Sequence, residues 1–337
     1  MKKDYISVVI PMYNAQDTIE KALKSLTNQT YDNIEVIVVN DGSKDNSKEV
    51  VEEYMKIDNR VRLISIENAG VSNARNLAIK NSTGEYITFL DADDYLEKDT
   101  LEKMLLKLKE ENVELVRTTF IQEDINGEFI QRGNLYDVAN RKLGKNEIRN
   151  EFIPYVFEGK MPTYVGLLLV KAECIKDKLT FDTSLHMMED LIFCMQLYLS
   201  IDSMYVYDFA TYHYVYSQNS NSNARSKLQR NYNNILHIVD KLNSVFANEQ
   251  LEEFVYKKMY HIYAKICINL IINMIEEDDE FTPSYEEYIK IVTDNKFLKL
   301  ISNVDYAQDK EIVRVGAKYL LNKEYDELYN YAKSKNK

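Results

Sequence analysis

Apolar segments alternate with amphipathic segments through the first 90 residues, and this alternation limits the fold more than any other feature of the sequence. The apolar segments are residues 5–10, 34–39, 61–66 and 86–90. Between the first two, apolar side chains recur at helical spacing at positions 19, 22, 23 and 26. Continuous apolar strands that alternate with helices form a mostly parallel sheet covered on both faces. We therefore predict an α/β fold with a doubly wound, mostly parallel sheet.

Each predicted strand is followed by a short loop of polar or turn-forming residues. These loops are residues 11–14, 40–43, 68–70 and 91–94. Ligands of open parallel sheets bind beyond the carboxyl ends of the strands, so the loops are expected to line one site. The sequence contains no G-x-G-x-x-G and no Walker motif, so neither dinucleotide binding nor P-loop NTP hydrolysis is indicated.

Three carboxylates follow the fourth strand within four positions: Asp91, Asp93 and Asp94. If the backbone stays extended here, Asp91 and Asp93 face the same side, about 6–7 Å apart, and Ala92 turns away. Two like charges this close favour a cation between them. Hard oxygen ligands suit Mg²⁺ or Mn²⁺. An acidic turn before a helix would contain the same residues, so this pattern alone leaves both interpretations open.

Composition narrows the classes of partner and the compartment. The 337 residues carry a formal net charge of −12, which argues against non-specific binding of nucleic acid. The three cysteines are widely spaced among apolar residues, as in reduced cytoplasmic proteins. No signal peptide is recognisable, and the longest apolar helical segment, 266–275, is too short to span a bilayer. We expect a cytoplasmic protein, and peripheral contact with the inner face of the membrane is left open.

The strand-end segments, taken together, resemble those of glycosyltransferase family 2, whose members have the type A fold. The matching segments are residues 8–14, 38–43, 68–76, 89–94 and 188–190. They stand in the family's order, and the resemblance covers about residues 5–222. It implies an inverting, nucleotide-sugar-dependent enzyme of the kind that builds bacterial surface glycans.

The resemblance implies a role for individual residues. It assigns donor binding to Pro11, Tyr13, Asp41, Asn68, Arg75, Asp91, Ala92 and Ser220. Asp41 is implied to hold the nucleobase, and a carboxylate can accept from the N3–H of uracil, which cytosine lacks. Arg75 offers a cationic fork suited to phosphate. Asp93, assisted by Asp91, is the implied ligand of Mn²⁺ or Mg²⁺.

A later acidic pair, Glu189 and Asp190, precedes an apolar helical segment. The resemblance implies that Asp190 is the general base and that Glu189 supports it. A carboxylate at this place could also simply cap the helix, and one residue can do both. Further on, Val215 and Ser217 stand where the family often has Arg and His, so a usual diphosphate contact is in doubt; Arg225 or Lys227 could replace it.

We predict two domains. Residues 1–225 form the type A catalytic domain, with a donor half at about 1–120 and an acceptor half at about 121–225. Residues 226–337 form an all-α domain, because their periodicity is helical to the end. This helical domain could bind the acceptor, form a homodimer or contact a membrane surface.

The expected reaction moves a hexose or N-acetylhexosamine from a UDP-sugar to a hydroxyl of a glycan, lipid-linked or glycoprotein acceptor. A nucleotidylyltransferase is one alternative, but it would carry a Gly-rich, basic loop where residues 11–14 read Pro-Met-Tyr-Asn. A non-catalytic nucleotide-sugar-binding or scaffold protein is the other alternative. The presence of both Asp93 and Asp190 argues against it.

Overall fold

A computed structural model describes residues 1–158, 160–185, 187–216, 228–247, 249, 251–276 and 284–335. Contacts between residues divide the chain into two compact units, Met1–Ser220 and Asn221–Lys337. No helix in these described ranges is both long enough and apolar enough to cross a membrane.

The first unit contains one mixed sheet. Its strands are β1 (Lys2–Met12), β2 (Ile34–Asp41), β3 (Val61–Ile66), β4 (Gly84–Phe89), β5 (Tyr95–Leu96), β6 (Leu115–Asp124), β7 (Phe129–Arg132), β8 (Arg141–Gly144), β9 (Leu168–Lys171) and β10 (Ser203–Tyr216). Their order is β3-β2-β1-β4-β9-β6-β10-β5, with β7 paired to β6 and β8 paired to β10.

The helices of this unit are α1 (Ile19–Thr27), α2 (Ser47–Ile57), α3 (Val71–Asn81), α4 (Thr100–Glu110), α5 (Lys145–Glu147), α6 (Ile153–Phe157), α7 (Ala172–Ile175) and α8 (Glu189–Ser200). A π-helical turn, Ile148–Phe152, joins α5 to α6, and a 3-10 turn, Val165–Leu167, leads into β9. The apolar run 165–171 suggests one continuous strand, but its first three residues form this turn and only the last four form β9.

The sheet has a parallel half and a mixed half. In the parallel half, β3, β2, β1 and β4 run in one direction. In the mixed half, β9 is antiparallel to both β4 and β6, β10 is parallel to β6, and β5 is antiparallel to β10. The predicted α/β class is confirmed, and the mixed half is where the sheet departs from a uniformly parallel one.

Strand alternation explains how helices cover both faces of the parallel half. Ile6, Val8 and Ile10 of β1 lie in one core cluster with apolar residues of α1, α2 and α4. Residues between them point to the opposite face, where α3 contacts β1 and β2. Pro11 does not end β1, as the sequence suggested, because the strand continues to Met12. Proline is tolerated there because β4 pairs with β1 only as far as Val9.

In the described residues of the second unit, all regular secondary structure is helical. Its helices are α9 (Leu228–Phe246), α10 (Glu253–Glu276), α11 (Tyr285–Val292), α12 (Asn295–Ser302), α13 (Glu311–Leu321) and α14 (Tyr325–Ser334). The long helix α10 contacts α9, α12, α13 and α14. Its buried side chains, such as Cys267, Ile268 and Ile272, form the centre of that unit. The predicted helical C-terminal region is thereby confirmed.

Candidate active site

The acidic segment after β4 is a turn and not an extended strand. The backbone N–H of Asp94 donates to the carbonyl of Asp91 at 3.1 Å. Ala92 is buried, as expected, and the carboxylate of Asp93 reaches the surface. The expectation that strand geometry aligns Asp91 with Asp93 is therefore wrong. The turn places both carboxylates in one short loop, and the charge of Asp91 helps to raise the pKa of Asp93.

Asp94 anchors this turn to β10. It is buried, and its two carboxylate oxygens accept from the Tyr212 hydroxyl at 2.5 Å and from the Val215 N–H at 2.9 Å. The Tyr212 oxygen also accepts from the N–H of Asp91 at 3.3 Å. Burial and the charges of Asp93 and Asp91 raise the pKa of Asp94 well above its usual range. Asp94 thus fixes the loop that presents Asp91 and Asp93.

Tyr212 can reach the turn only because residue 166 is a glycine. A Cβ atom at Gly166 would lie 2.2 Å from the Tyr212 ring. This ring is fully buried and packs directly on the 3-10 turn before β9. No sequence pattern indicated a role for Tyr212 or Gly166. A single chain gives no signal that would link positions 46 residues apart.

Arg75 connects the acidic turn to the predicted base. It lies on α3, is almost fully buried, and donates to Asp91 at 2.8 Å, to Asp190 at 2.7 Å and to Glu189 at 3.1 Å. Burial works against its charge, yet the carboxylates of Asp190, Asp91 and Glu189 raise its pKa. The sequence predicted a phosphate contact for Arg75. The structure shows instead a partner for three carboxylates, and the phosphate contact stays a prediction.

Asp190 lies in the first turn of α8, and its side chain does not cap the helix. The residue before the helix is Met188, which has a left-handed backbone with φ of 59° and forms no side-chain cap. Asp190 bonds to Arg75, and the Val165 N–H also reaches its carboxylate. Burial raises its pKa to about 7 against the pull of Arg75, with help from Glu189 and Asp91. A carboxyl group with this pKa can exchange a proton at neutral pH.

The predicted nucleobase loops meet at Asp41. Its carboxylate is buried and accepts from the N–H groups of Ala69 at 2.7 Å and Gly70 at 2.9 Å, while the Asn68 amide donates to the Asp41 carbonyl at 3.0 Å. Gly42 has φ of 71°, and a Cβ there would lie 2.7 Å from the Asn68 nitrogen. A carboxylate can accept up to about four hydrogen bonds, so both oxygens of Asp41 keep further acceptor capacity.

Pro11 and Tyr13 stand at the end of β1, beside this loop in the sheet order. Pro11 is buried opposite Val39 of β2, and Tyr13 follows the strand with its ring 44% exposed. An exposed ring at the carboxyl edge of a sheet is placed to stack on a planar group. Their predicted contact with the nucleobase stays a prediction.

A divalent cation fits the residues around Asp93. Asp93 reaches the surface, yet desolvation by the protein atoms packed around it and the charge of Asp91 raise its pKa to about 6. No cation among the described side chains offsets these two effects. Arg75 occupies one oxygen of Asp91. No cluster of three metal-binding side chains occurs in the described part of the chain. Two carboxylates are what Mg²⁺ or Mn²⁺ takes from a protein when a substrate's phosphates complete its shell.

Ser220, the remaining predicted donor contact, lies outside the described residues, as do Ser217, Arg225 and Lys227. Val215, where the family often has arginine, contributes its backbone N–H to Asp94. The replacement of a diphosphate contact by Arg225 or Lys227 therefore stays a prediction.

Comparison with known proteins supports the family that the sequence predicted. Residues 7–167 match Glycosyl transferase family 2. The uncharacterized glycosyltransferase EpsJ of Bacillus subtilis (strain 168) is 33% identical over 218 residues, which are 64% of this chain and 62% of EpsJ. The chain thus spans less than two thirds of the length of this relative.

Two solved structures share the fold. TarS 1–349 of S. aureus aligns with a TM-score of 0.68 and 21% identity, covering 98% of this chain and 90% of that chain. This TarS fragment has also been crystallised in complex with UDP and with UDP-GlcNAc. The mannosyltransferase PcManGT from Pyrobaculum calidifontis, in complex with GDP-Man and Mn²⁺, aligns with a TM-score of 0.55 and 17% identity over 100% of this chain and 88% of that chain.

The chain has the glycosyltransferase type A fold, which it shares with TarS. Residues 7–167 match glycosyltransferase family 2, the family that the sequence segments predicted.

Proposed function

We propose that the chain is an inverting glycosyltransferase that moves a hexose or N-acetylhexosamine from a UDP-sugar to an acceptor hydroxyl. The observation that carries this proposal is the bridge through Arg75. One guanidinium holds Asp91, next to the predicted donor site, and Asp190, the candidate base. Donor phosphates and the acceptor hydroxyl have to meet at one carbon atom, and this bridge brings their binding groups together.

The proposed reaction accounts for the proton that is removed, the bond that forms and the bond that breaks. Asp190 accepts the proton of the acceptor hydroxyl while that oxygen attacks the anomeric carbon of the donor. The bond from that carbon to the diphosphate oxygen breaks, and the electron pair leaves with UDP. Attack from the face opposite the diphosphate inverts the anomeric centre. Arg75 keeps the base oriented, and Glu189 shares the guanidinium at 3.1 Å.

A Mn²⁺ or Mg²⁺ ion fits this proposal, held by Asp93 and Asp91. Such an ion would neutralise charge on the departing diphosphate. The complex of PcManGT contains Mn²⁺, and the TarS complexes contain UDP and UDP-GlcNAc. These complexes support a metal and a UDP-linked donor for this chain by similarity of fold.

Further parts of the proposal rest on the sequence and the family. Residues 1–225 would act as the catalytic domain, with acceptor binding in 121–225, and residues 226–337 would bind the acceptor, a second copy or a membrane surface. The acceptor would be a glycan, a lipid-linked sugar or a glycoprotein. The protein would act in the cytoplasm, at or near the inner face of the membrane.

A screen of nucleotide sugars for slow hydrolysis tests the proposal, because hydrolysis requires no added acceptor. The purified chain is incubated with Mn²⁺ and each UDP-, GDP- or CDP-sugar, and released nucleotide is measured. We expect free UDP from at least one UDP-sugar, and loss of this release in EDTA and in Asp93→Asn. Release of pyrophosphate from UTP and a sugar phosphate would favour a nucleotidylyltransferase. Tight UDP-sugar binding without any turnover would favour a scaffold protein.

A further inference from the structure

Two stacked tyrosines stand beside the carboxylates and have no role in the proposed chemistry. The rings of Tyr164 and Tyr214 lie 5.5 Å apart and are inclined by 23°. Phe120 meets Tyr164 edge-on at 5.7 Å. Tyr164 nevertheless remains 38% exposed, so a large flat surface is held rigidly at the rim of the site.

The backbone fixes where this pair lies. Tyr164 directly precedes Val165, whose N–H reaches the carboxylate of Asp190. Tyr214 directly precedes Val215, whose N–H donates to Asp94 at 2.9 Å. The stacked pair is therefore bounded by the candidate base on one side and by the acidic turn on the other.

Electrostatics agrees with this placement. Burial, followed by the charges of Asp94, Asp190 and Asp91, raises the pKa of Tyr164. Those carboxylates come from both the donor-binding turn and the base. The ring thus borders the place where an acceptor hydroxyl would approach Asp190.

The loop that carries Tyr164 is held in place by a buried cation. Arg117 of β6 is fully buried, and its guanidinium donates to the Tyr198 hydroxyl of α8 at 2.9 Å and to the Pro162 carbonyl. It forms no ion pair with a described carboxylate. Arg117 thereby ties the loop of Tyr164 to the helix of Asp190. A ring fixed in this way loses little conformational entropy when a ligand binds.

We propose that the exposed face of Tyr164 stacks against the ring of the acceptor sugar whose hydroxyl meets Asp190. The acceptor end is accordingly a pyranose and not an open-chain polyol. The C–H groups on one face of a pyranose form a flat apolar surface that matches an aromatic ring, whereas an open-chain polyol has no such face. This inference rests on the proposed function, because it names the substrate class of the same site.

Saturation-transfer NMR tests the inference without requiring turnover. The probes are methyl β-D-glucopyranoside, methyl N-acetyl-β-D-glucosaminide and D-glucitol, each with the chain loaded with UDP and Mn²⁺. We expect transfer to at least one pyranoside, strongest on the protons of one ring face, and none to glucitol. Tyr164→Ala should weaken pyranoside binding about tenfold, the effect of one aromatic contact. Tyr164→Phe should bind nearly as the parent chain does.

Tyr136→Ala is the matched control, because Tyr136 is 43% exposed and stacks on Tyr155 at 6.2 Å, with Asp137, Lys160 and Glu151 as the charges near that pair. It should leave pyranoside binding unchanged. No transfer to any pyranoside, equal binding of glucitol, or unchanged binding in Tyr164→Ala overturns the inference. Weaker UDP binding in Tyr164→Ala also overturns it, since the ring would then stack on the nucleobase. Failure of the proposed function is distinct: no UDP-sugar would be turned over, whatever the pyranosides do.

Discussion

The parallel half and the mixed half of the sheet differ in the side chains that are buried in them. Every residue of β2 is buried. Its first six residues, Ile34 to Val39, are apolar except for Glu35. In the mixed half, Thr118 of β6 and Thr211 of β10 are buried and share a hydrogen bond of 2.8 Å between their hydroxyls. Arg117 is also fully buried there. The parallel half is stabilised mainly by apolar burial, whereas the mixed half depends on polar partners.

This difference has a consequence for mutations. Replacing an apolar side chain removes packing in proportion to its size. Removing one member of a buried polar set leaves its partners without hydrogen bonds or counter-charges, which costs more than the lost contact itself. We therefore expect the largest effects at the side chains that join the mixed half and α8 to the acidic turn.

The largest effect is expected for Asp190→Asn. Asparagine cannot take the hydroxyl proton, and general-base catalysis contributes roughly 10²–10⁴-fold, so transfer should fall by about that factor. Arg75 keeps Asp91 and Glu189 as partners, so the melting temperature should change little. Steady-state transfer and thermal unfolding measure the two effects. Near-normal transfer would mean that the base is another residue, with Glu189 the next candidate.

Arg75→Met should destabilise the fold by about 3–5 kcal/mol, because it leaves three carboxylates without their buried cation. The matched control in the parallel half is Arg62→Met on β3. Arg62 is 42% exposed and lies 3.5 Å from Glu35, which keeps its hydrogen bonds from Ser7 and Thr83. Because Arg62 itself is largely exposed to solvent and the buried Glu35 keeps those hydrogen bonds, loss of this cation should cost about 1 kcal/mol or less. Urea unfolding of both variants gives the comparison, and equal losses would contradict it.

Gly166→Ala should cost about 1–3 kcal/mol, since the new methyl group would overlap the Tyr212 ring. If Tyr212 moves, Asp94 loses its hydroxyl partner and the acidic turn loosens, so donor affinity should fall as well. Gly144→Ala is the control, because its Cβ would meet only Glu147 at 3.5 Å. Calorimetry with UDP, beside thermal unfolding, separates the two effects. Unchanged UDP affinity in a destabilised variant would show that Asp94 does not need Tyr212.

The smallest of these effects is a dependence on pH. Asp190 has a pKa of about 7, so the transfer rate should fall about tenfold for each pH unit well below 7. Stability should move in the opposite direction. The folded-state pKa lies above the usual 3.8, so the folded chain binds the extra proton and this group's contribution to stability grows as pH falls from 7 toward 4. The residual transfer rate of Asp190→Asn should not show this decrease below pH 7.

Much of the parallel half could be predicted from the sequence because its signals are local. The apolar strands, the helix at 19–27 and the loops at the strand ends follow from periodicity within short segments. The mixed half could not be predicted in this way. Two of the three partners of Arg75, Glu189 and Asp190, lie 114 and 115 residues away, and Tyr212, a partner of Asp94, lies 118 residues away. Only the folded chain brings such pairs together.

In the candidate site, too, local sequence signals could be predicted and contacts between distant residues could not. The family segments predicted site roles for Asp91, Asp93 and Asp190 from their order in the chain. They gave no indication that Arg75 would contact carboxylates, because side-chain direction in a buried cluster depends on every neighbour at once. The extended geometry assumed for Asp91 and Asp93 failed because Asp94 turns back to bond Tyr212 and Val215, which lie 118 and 121 residues away in the sequence.

The left-handed residue Met188 has a consequence for anyone who moves this acidic pair into another protein. With φ of 59°, residue 188 sets the direction in which α8 leaves the preceding loop, and hence where Asp190 meets Arg75. Among substitutions in a saturation library, glycine and asparagine should be accepted, whereas valine and isoleucine should be rejected despite being as apolar as methionine. If Glu-Asp were grafted onto a helix that lacks a left-handed residue before its first turn, the two carboxylates would be present but would not point in the same direction. The backbone turn at 188 is therefore part of the unit to be grafted.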